Sequence, residues 1–200
     1  MAGLAIPAAA PAAAVPAPAS GVDVSGLTTF TSGTPWPGLA AAGNTFVGVK
    51  ATEGDYYKDT AYASDVKGAI AAGLYVMPYV FANPYPGNGT PVQQADYAWN
   101  NEISKATPAY QSSPLMLPLV LDIEADPYVG SEKNGNQCYG LTPSAMVTWI
   151  KQFLAEARAK TKKTPIIYTA PNWWSRPGHD DVHLGRARDA HGELAGQPHE

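Results

Sequence analysis

The sequence contains a single cysteine, Cys138, among its 200 residues. A lone cysteine cannot build a disulfide framework within the chain or a cysteine-based zinc site, because both need several cysteines. A catalytic thiol would need a histidine partner, and the four histidines all lie beyond residue 178. We therefore interpret Cys138 as a small packed residue, which is the usual role of an unmodified cysteine.

Long apolar runs and basic clusters are also missing. No apolar run approaches the length of about 20 residues that crosses a bilayer, so we expect no membrane partner. The formal net charge is −4 and no stripe of Lys and Arg crosses the body of the chain, which argues against a nucleic-acid partner. An apolar fraction of 45 % with 10 % aromatic residues is enough for a packed core, and the length fits one domain.

The two ends of the chain differ from its body. Residues 1–20 are rich in Ala and Pro and carry no charged side chain, which is typical of a secretory signal remnant or a linker and predicts a secreted protein. Residues 175–200 contain all four histidines and no Lys, Trp, Tyr or Phe. A frameshifted or truncated reading frame, a natural disordered tail or a His-rich metal-binding tract would each give this composition. We predict the first two over the third, and no metal site.

The body, residues 21–174, alternates between two kinds of pattern. Apolar segments rich in β-branched or aromatic residues predict strands buried on both faces, at 46–53, 75–82, 117–124 and 165–170, with a short first strand near residue 23. Helical patterns lie between them at 61–73, 91–106 and 142–162. Strands that alternate with helices predict right-handed βαβ units and an α/β fold.

Three carboxylates stand at predicted strand ends. Asp122 and Glu124 close the run "LPLVLDIEAD", and side chains two apart on a strand share a face, with Ile123 pointing the other way. Asp23 lies in "GVDVS" at the first strand. In parallel α/β barrels such ends meet at the active site. Glycosidic bond cleavage needs one protonated and one ionised carboxyl group, and crowding is expected to let Glu124 keep its proton. The alternative is that these acids are solvated strand ends or ion-pair partners.

Aromatic residues follow the same strand ends and are candidates for contact with a sugar ring. They are Tyr79 and Phe81 on the third strand, Tyr168 on the last strand, and Trp173 just beyond it. Sugars have apolar faces that pack on aromatic rings, and a phenol hydroxyl also orients polar groups. The alternative interpretation is that each of these rings packs in the hydrophobic core. Tyr79 and Trp173 are the strongest candidates.

Six segments in order resemble glycoside hydrolase family 25, the Chalaropsis-type lysozymes: "GVDVS", "FVGVKATEG", "PYVFANP", "LPLVLDIEAD", "CYGLTPSAMVTWI" and "TPIIYTAPNWW". The resemblance covers about residues 21–174. It implies an irregular (β/α) barrel of the TIM type and N-acetylmuramidase activity, which hydrolyses the β-1,4 bond between N-acetylmuramic acid and N-acetylglucosamine. It implies no cofactor, peptidoglycan glycan strands as the partner, and a monomer.

The resemblance also implies roles for individual residues. Glu124 would be the general acid, and Asp122 would stabilise the positive anomeric centre or the acetamido group of the substrate. Asp23 would support the site at the first strand. Glu53 of "KATEG" would line the same region, and Tyr79 would bind substrate.

The chain departs from the family pattern in two places. Val80 stands where many members have His. Members also continue beyond the "WW" with further strands, a late active-site Asp and a second Cys that would pair with Cys138, whereas here residue 175 begins the tail. We therefore expect a barrel that is incomplete at its C-terminus, from truncation or a frameshift after Trp174, and a chain that folds poorly or is weakly active.

Two other functions fit the same residues. A non-catalytic cell-wall-binding pseudoenzyme would keep the aromatic cleft without turnover, because the late part of the barrel is missing. A glycosidase acting on chitin would use the same carboxylates, since chitin shares N-acetylglucosamine with peptidoglycan.

Overall fold

The structure is a computed structural model that describes residues 19–28, 35–130 and 136–174. The predictions for residues 1–18 and for the tail 175–200 lie outside the described residues. No helix in the described part of the chain combines the length and apolarity that a membrane crossing requires.

The described residues form six strands and six α-helices, most of which alternate along the chain. The strands are β1 (Gly21–Val24), β2 (Phe46–Glu53), β3 (Tyr57–Lys58), β4 (Tyr75–Phe81), β5 (Val120–Asp122) and β6 (Ile166–Tyr168). The helices are α1 (Trp36–Ala41), α2 (Tyr62–Ala71), α3 (Pro91–Ala98), α4 (Ser104–Ala106), α5 (Pro143–Thr161) and α6 (Pro171–Trp174), with a π-helical turn at Trp99–Ile103 between α3 and α4.

Five of the strands form a parallel sheet in the order β1-β2-β4-β5-β6. Strand β3 pairs with the end of β2 in the antiparallel direction. Parallel neighbours require crossover connections, and here the long helices supply them. All five parallel strands therefore end at the same edge of the sheet, which places the residues at and after those ends close together.

One face of the sheet carries the core. Along β4 the side chains of Val76 and Val80 are fully buried, whereas the alternate residues Tyr75, Met77 and Tyr79 are partly or well exposed. This period of two is what a strand gives when one face is covered by helices. The buried face packs against the helices, and we call the opposite face, which carries Tyr79, the inner face.

Two helices begin at residues whose side chains cap them. The Thr90 side chain caps α3 and accepts a hydrogen bond from the Gln93 backbone N–H, and the Thr90 backbone N–H in turn donates to Gln93 Oε1. Thr142 caps α5 and accepts from the Ala145 amide at 3.3 Å. Such caps satisfy amides that have no partner within the helix, and each stabilises a helix by about 1 kcal/mol.

The prediction of an α/β fold with a mainly parallel sheet is confirmed. β2 begins and ends as predicted, whereas β5 and β6 are shorter, at three residues each. Within the described residues β1 and β6 lie at the two ends of the strand order and do not pair with each other. Closure of the sheet into a barrel therefore stays a prediction.

Candidate active site

A cavity of about 430 Å³ opens on the inner face of the sheet. Its walls include all three carboxylates that the sequence singled out, Asp23, Asp122 and Glu124, together with Tyr79 and Tyr168. Pockets that hold small ligands in proteins have volumes of about 300–1,000 Å³. We call this space the carboxylate cavity.

The sheet brings Asp23 to the cavity from a distant strand. Three strand spacings separate β1 from β5, which is about 14 Å along a flat sheet. Asp23 and Asp122 nevertheless line the same cavity, so the sheet curves around it. Gly48 is paired in register with Asp23 and also lines the cavity. Because Gly48 has no side chain, the inner face keeps a hollow beside Asp23.

Asp122 and Glu124 share the inner face, as their spacing predicts. Ile123, which lies between them, is fully buried on the opposite side. Asp122 is flanked in register by Phe81 on β4 and Tyr168 on β6. Its Oδ1 atom is buried and accepts no hydrogen bond from the described residues. The carboxyl group of Asp122 therefore sits beside two aromatic residues with little to stabilise a full negative charge.

This setting changes the ionisation of Asp122. Burial raises the pKa of Asp122 to about 7, the negative charges of Glu124 and Asp23 also act to raise it, and the positive charge of Lys50 opposes them. The crowding of these acids predicts a retained proton on Glu124, and that stays a prediction. In the structure the raised pKa belongs to Asp122, which is largely buried at the end of β5 and lies near the charges of Glu124 and Asp23.

Tyr79 spans the space between β4 and β1. Its hydroxyl donates to the Val24 carbonyl at 3.5 Å, and its ring lines the carboxylate cavity. Burial raises the pKa of Tyr79, and the charges of Asp23 and Asp122 raise it further. The phenol therefore stays protonated and remains a hydrogen-bond donor near both carboxylates.

The other predicted aromatic contacts fall in three different places. Tyr168 lines the cavity and is 57 % exposed. Phe81 is not among the lining residues, and its ring lies 5.1 Å from Lys50 Nζ. Trp173 is 3 % exposed in the core, and its Nε1 donates to the Gln137 carbonyl at 2.7 Å. Trp173 therefore holds α6 against the loop before α5 and does not face the cavity.

Glu53 does not line the carboxylate cavity but a neighbouring one. Its Oε2 lies 2.7 Å from Lys50 Nζ. A bulge in β2 between Lys50 and Thr52 makes this pair possible, because it brings residues three apart onto the same face. Burial acts to raise the pKa of Glu53, but hydrogen bonds from Lys50 and Tyr128 and the Lys50 charge outweigh it and hold the pKa below its usual value.

Four residues at this edge were missed by the sequence analysis: Lys50, Tyr56, Tyr57 and Tyr128. The sequence did contain a signal for Lys50, because this residue lies within the apolar strand "FVGVKATE", where an unpaired cation would be costly. The pair Tyr56 and Tyr57 follows the strand end directly in "TEGDYY". Tyr128 carried no signal, because it lies in a loop after β5.

The described residues contain no group of three or more His, Cys, Asp or Glu side chains arranged to hold a metal ion. The chemistry that the carboxylate cavity can perform with its own residues is proton transfer and stabilisation of a positive charge. Two carboxyl groups on one face, one of them with a raised pKa, supply both.

Comparisons with known proteins find similar sequences. The sequence model of "Glycosyl hydrolases family 25" matches residues 22–187. The chain is 36 % identical over 160 residues to lysozyme M1 of Streptomyces globisporus, which covers 80 % of this chain and 50 % of that protein. It is 35 % identical over 139 residues to the N,O-diacetylmuramidase of a Chalaropsis species. This match covers 69 % of this chain and 61 % of that protein.

A solved structure is also similar to this chain. The crystal structure of the bacterial lysozyme from Streptomyces coelicolor matches with a TM-score of 0.65 and 35 % identity, over 77 % of this chain and 64 % of that one. This chain thus spans between half and two thirds of the length of these relatives.

Proposed function

Because the chain belongs to the glycosyl hydrolases of family 25, we propose that it hydrolyses the glycan strand of peptidoglycan at the β-1,4 bond between N-acetylmuramic acid and N-acetylglucosamine. One observation carries the proposal, which is the convergence of Asp23, Asp122 and Glu124 on one cavity of sugar-binding size. The relatives named lysozyme and muramidase support the same substrate.

In the proposed reaction the glycosidic oxygen receives the proton and the C–O bond to it breaks. Asp122 and Glu124 both line the carboxylate cavity, and in the proposed reaction a proton that Asp122 retains near neutral pH passes to Glu124. Glu124 donates it to the leaving oxygen, and Asp122 is then the anion beside the positive anomeric centre. Water adds to that centre and returns a proton to the pair, which restores the starting state.

Asp23 and the tyrosines have supporting roles in this proposal. Asp23 adds negative charge to the cavity from β1, which favours proton retention at Asp122 and a positive charge in the transition state. Tyr79 and Tyr168 form walls against which a sugar ring packs, and the Tyr79 hydroxyl remains a donor. We further propose that the protein is secreted, since its substrate lies outside the cell membrane, and that it acts as a monomer, as the family resemblance implies.

The test is release of reducing ends from purified peptidoglycan by the chain and by Glu124→Gln. We expect the variant to lose at least about 100-fold in rate, the usual contribution of a positioned acid. Glu156→Gln on α5, whose carboxylate pairs with Lys160 on the surface, is the matched control and should keep full activity.

Two outcomes would contradict the proposal. If the parent chain and Glu124→Gln are equally inactive and both sediment with cell walls, the protein binds the wall without turnover. Release of reducing ends from chitin but not from peptidoglycan would assign the other substrate.

A further inference from the structure

Strand β1, which carries Asp23, is held to the sheet on one side only. Within the described residues it pairs with β2 alone, and the register of the two strands ends at Val24 and Val49. Asp23 is exposed and lies one residue before that end. A four-residue edge strand has few contacts that keep its end from fraying. The position of Asp23 therefore depends on what holds the segment that follows it.

This segment is a closed turn from Ser25 to Thr28. The Thr28 amide donates to the Ser25 carbonyl at 2.8 Å, and the Ser25 amide donates to the Thr28 hydroxyl at 2.9 Å. These bonds fix the shape of the turn but not its place, because both partners belong to the turn. A further bond joins the turn to the rest of the protein, since the Gly26 amide donates to Asp59 Oδ2 at 2.6 Å. An amide that donates to a carboxylate forms one of the stronger hydrogen bonds in proteins.

Asp59 is a rigid anchor for this bond. It lies between β3 and α2 and is 1 % exposed. Its own amide donates to the Ala51 carbonyl of β2 at 3.0 Å, and its carbonyl accepts from the Tyr62 amide of α2 at 3.2 Å. Its second carboxylate oxygen, Oδ1, accepts from the Ala61 amide at 2.9 Å. The Asp59 carboxylate therefore bridges the turn after β1 and the start of α2.

Glycine at position 26 makes this contact possible. A Cβ at Gly26 would lie 2.8 Å from Asp59 Oδ1 and 3.4 Å from Asp59 Oδ2, so a side chain there would push the turn away from α2. A buried carboxylate is costly unless hydrogen bonds compensate for the lost water. For Asp59 one of the compensating amides belongs to the turn, and the turn and the anchor thus stabilise each other.

We propose that Asp59 is a positioning residue, which holds the turn after β1 in place and thereby keeps Asp23 at the wall of the carboxylate cavity. Asp59 is not among the residues that line the cavity, so it acts through Gly26 and does not contact the substrate. The inference rests on the proposed function where it concerns the rate of the reaction.

The ionisation of Asp122 reports whether Asp23 is in place. The charges that act on Asp122 are those of Glu124, Lys50 and Asp23, and the charge of Asp23 raises the pKa of Asp122. The charge of Asp59 is not one of them. A lower pKa of Asp122 in an Asp59 variant would therefore report a displaced Asp23 and not the loss of the Asp59 charge.

Titration of the Asp122 carboxyl carbon by NMR, without substrate, tests the proposal. In Asp59→Asn one backbone amide faces an NH₂ group instead of an acceptor oxygen, which releases the turn. We expect the titration midpoint of Asp122 to fall by about 0.5 pH unit, as in Asp23→Asn. The variant with both changes should show no further fall, because each change removes the same charge from the cavity. Asp65→Asn, in the first turn of α2, is the matched control and should keep the parent midpoint.

Gly26→Ala breaks the same contact from the other side and leaves the Asp59 carboxylate intact. It should lower the Asp122 midpoint by the same amount, and it supplies the test if Asp59→Asn does not fold. In both variants kcat/KM for reducing-end release should also fall about 10- to 100-fold, since a misplaced group near the reacting centre costs this much.

Three results would overturn the proposal. The first is a parent-like midpoint in Asp59→Asn and Gly26→Ala even where stability falls, because Asp59 then has a structural role only. The second is an additive fall when Asp23→Asn and Asp59→Asn are combined, and the third is the same fall in Asp65→Asn. Absence of reducing-end release by the parent chain is a separate result. It contradicts the proposed function, whereas the midpoints still decide whether Asp59 positions Asp23.

Discussion

Lys50 Nζ lies 5.1 Å from the centre of the Phe81 ring, and Phe81 is paired in register with Asp122. Lys50 thus lies between Glu53 and the strand pair that carries Asp122. It neutralises Glu53 on one side, and on the other side its positive charge lowers the pKa of Asp122 against the effect of burial. A single side chain therefore influences both the carboxyl group of Asp122 in the proposed active site and that of Glu53.

Replacement of Lys50 by Met should move the alkaline limb of the activity profile to higher pH. Without the cation the ionised form of Asp122 is less favourable, so its pKa rises above about 7 and the proton is kept to higher pH. The measurement is kcat/KM for reducing-end release from pH 5 to 9.

Two further variants control the Lys50 prediction. Lys50→Arg retains the charge and should leave the limb in place. Lys50→Met combined with Glu53→Gln removes the pair together and avoids a buried unpaired carboxylate, and it should show the same upward shift. An unshifted limb in the double variant would contradict the role assigned to Lys50.

The raised pKa of Asp122 also predicts how stability depends on pH. The unfolded carboxyl titrates near 3.9, and the folded one titrates at about 7. Between these values the folded state binds more protons than the unfolded state, so this group makes the free energy of unfolding fall as the pH rises.

Asp122→Asn lacks that contribution and isolates it from other titrating groups. Relative to the parent chain, the variant should become progressively more stable from pH 4 to pH 7, and the difference should level off above pH 8. Urea unfolding of both chains at pH 4.5 and pH 8 measures this change. A stability difference that is the same at both pH values would show that Asp122 titrates normally in the folded chain.

Much of the fold could be predicted because the chain marks it locally. The apolar run 46–53 predicted β2 with its correct ends, and the helical pattern at 142–162 predicted α5 to within one residue at each end. The short elements α1, β3 and α6 had no comparable signal. Each has six residues or fewer, and tertiary contacts rather than local pattern stabilise segments of that length.

The candidate site divides in the same way. Asp122 and Glu124 could be placed together because alternation along one strand is a local rule. The raised pKa of Asp122 could not, because it depends on burial and on the charges of Asp23 and Lys50 from other strands. The prediction for Trp173 was wrong. Its position after a strand end suggested the cleft, yet its indole packs in the core and donates to the Gln137 carbonyl.

Trp173→Phe and Tyr168→Ala should therefore affect different properties. Trp173→Phe loses the hydrogen bond to Gln137, and we expect the free energy of unfolding to fall by about 1–2 kcal/mol. The affinity for the disaccharide of N-acetylmuramic acid and N-acetylglucosamine should not change. Tyr168→Ala removes an exposed ring from the cavity wall, so the affinity should fall and the stability should stay within about 0.5 kcal/mol. Urea unfolding measures the stability of both variants, and calorimetry measures their affinity for the disaccharide. A loss of affinity in Trp173→Phe alone would show that the indole contacts the sugar.

The hollow beside Asp23 depends on the absence of a side chain at Gly48. A Cβ at this position would lie 3.3 Å from the Asp23 Cβ and 3.9 Å from the Met77 Cε, so alanine requires a small adjustment and a larger residue fills the space. Valine is favoured in strands, and its propensity offsets part of the crowding. Gly48→Val should therefore raise KM for peptidoglycan fragments at least about tenfold, while the free energy of unfolding changes by about 1 kcal/mol or less. Gly48→Ala is the matched control and should lie between the parent chain and the valine variant in KM. If Gly48→Val binds the disaccharide as tightly as the parent, the sugar does not enter the cavity at the level of Asp23.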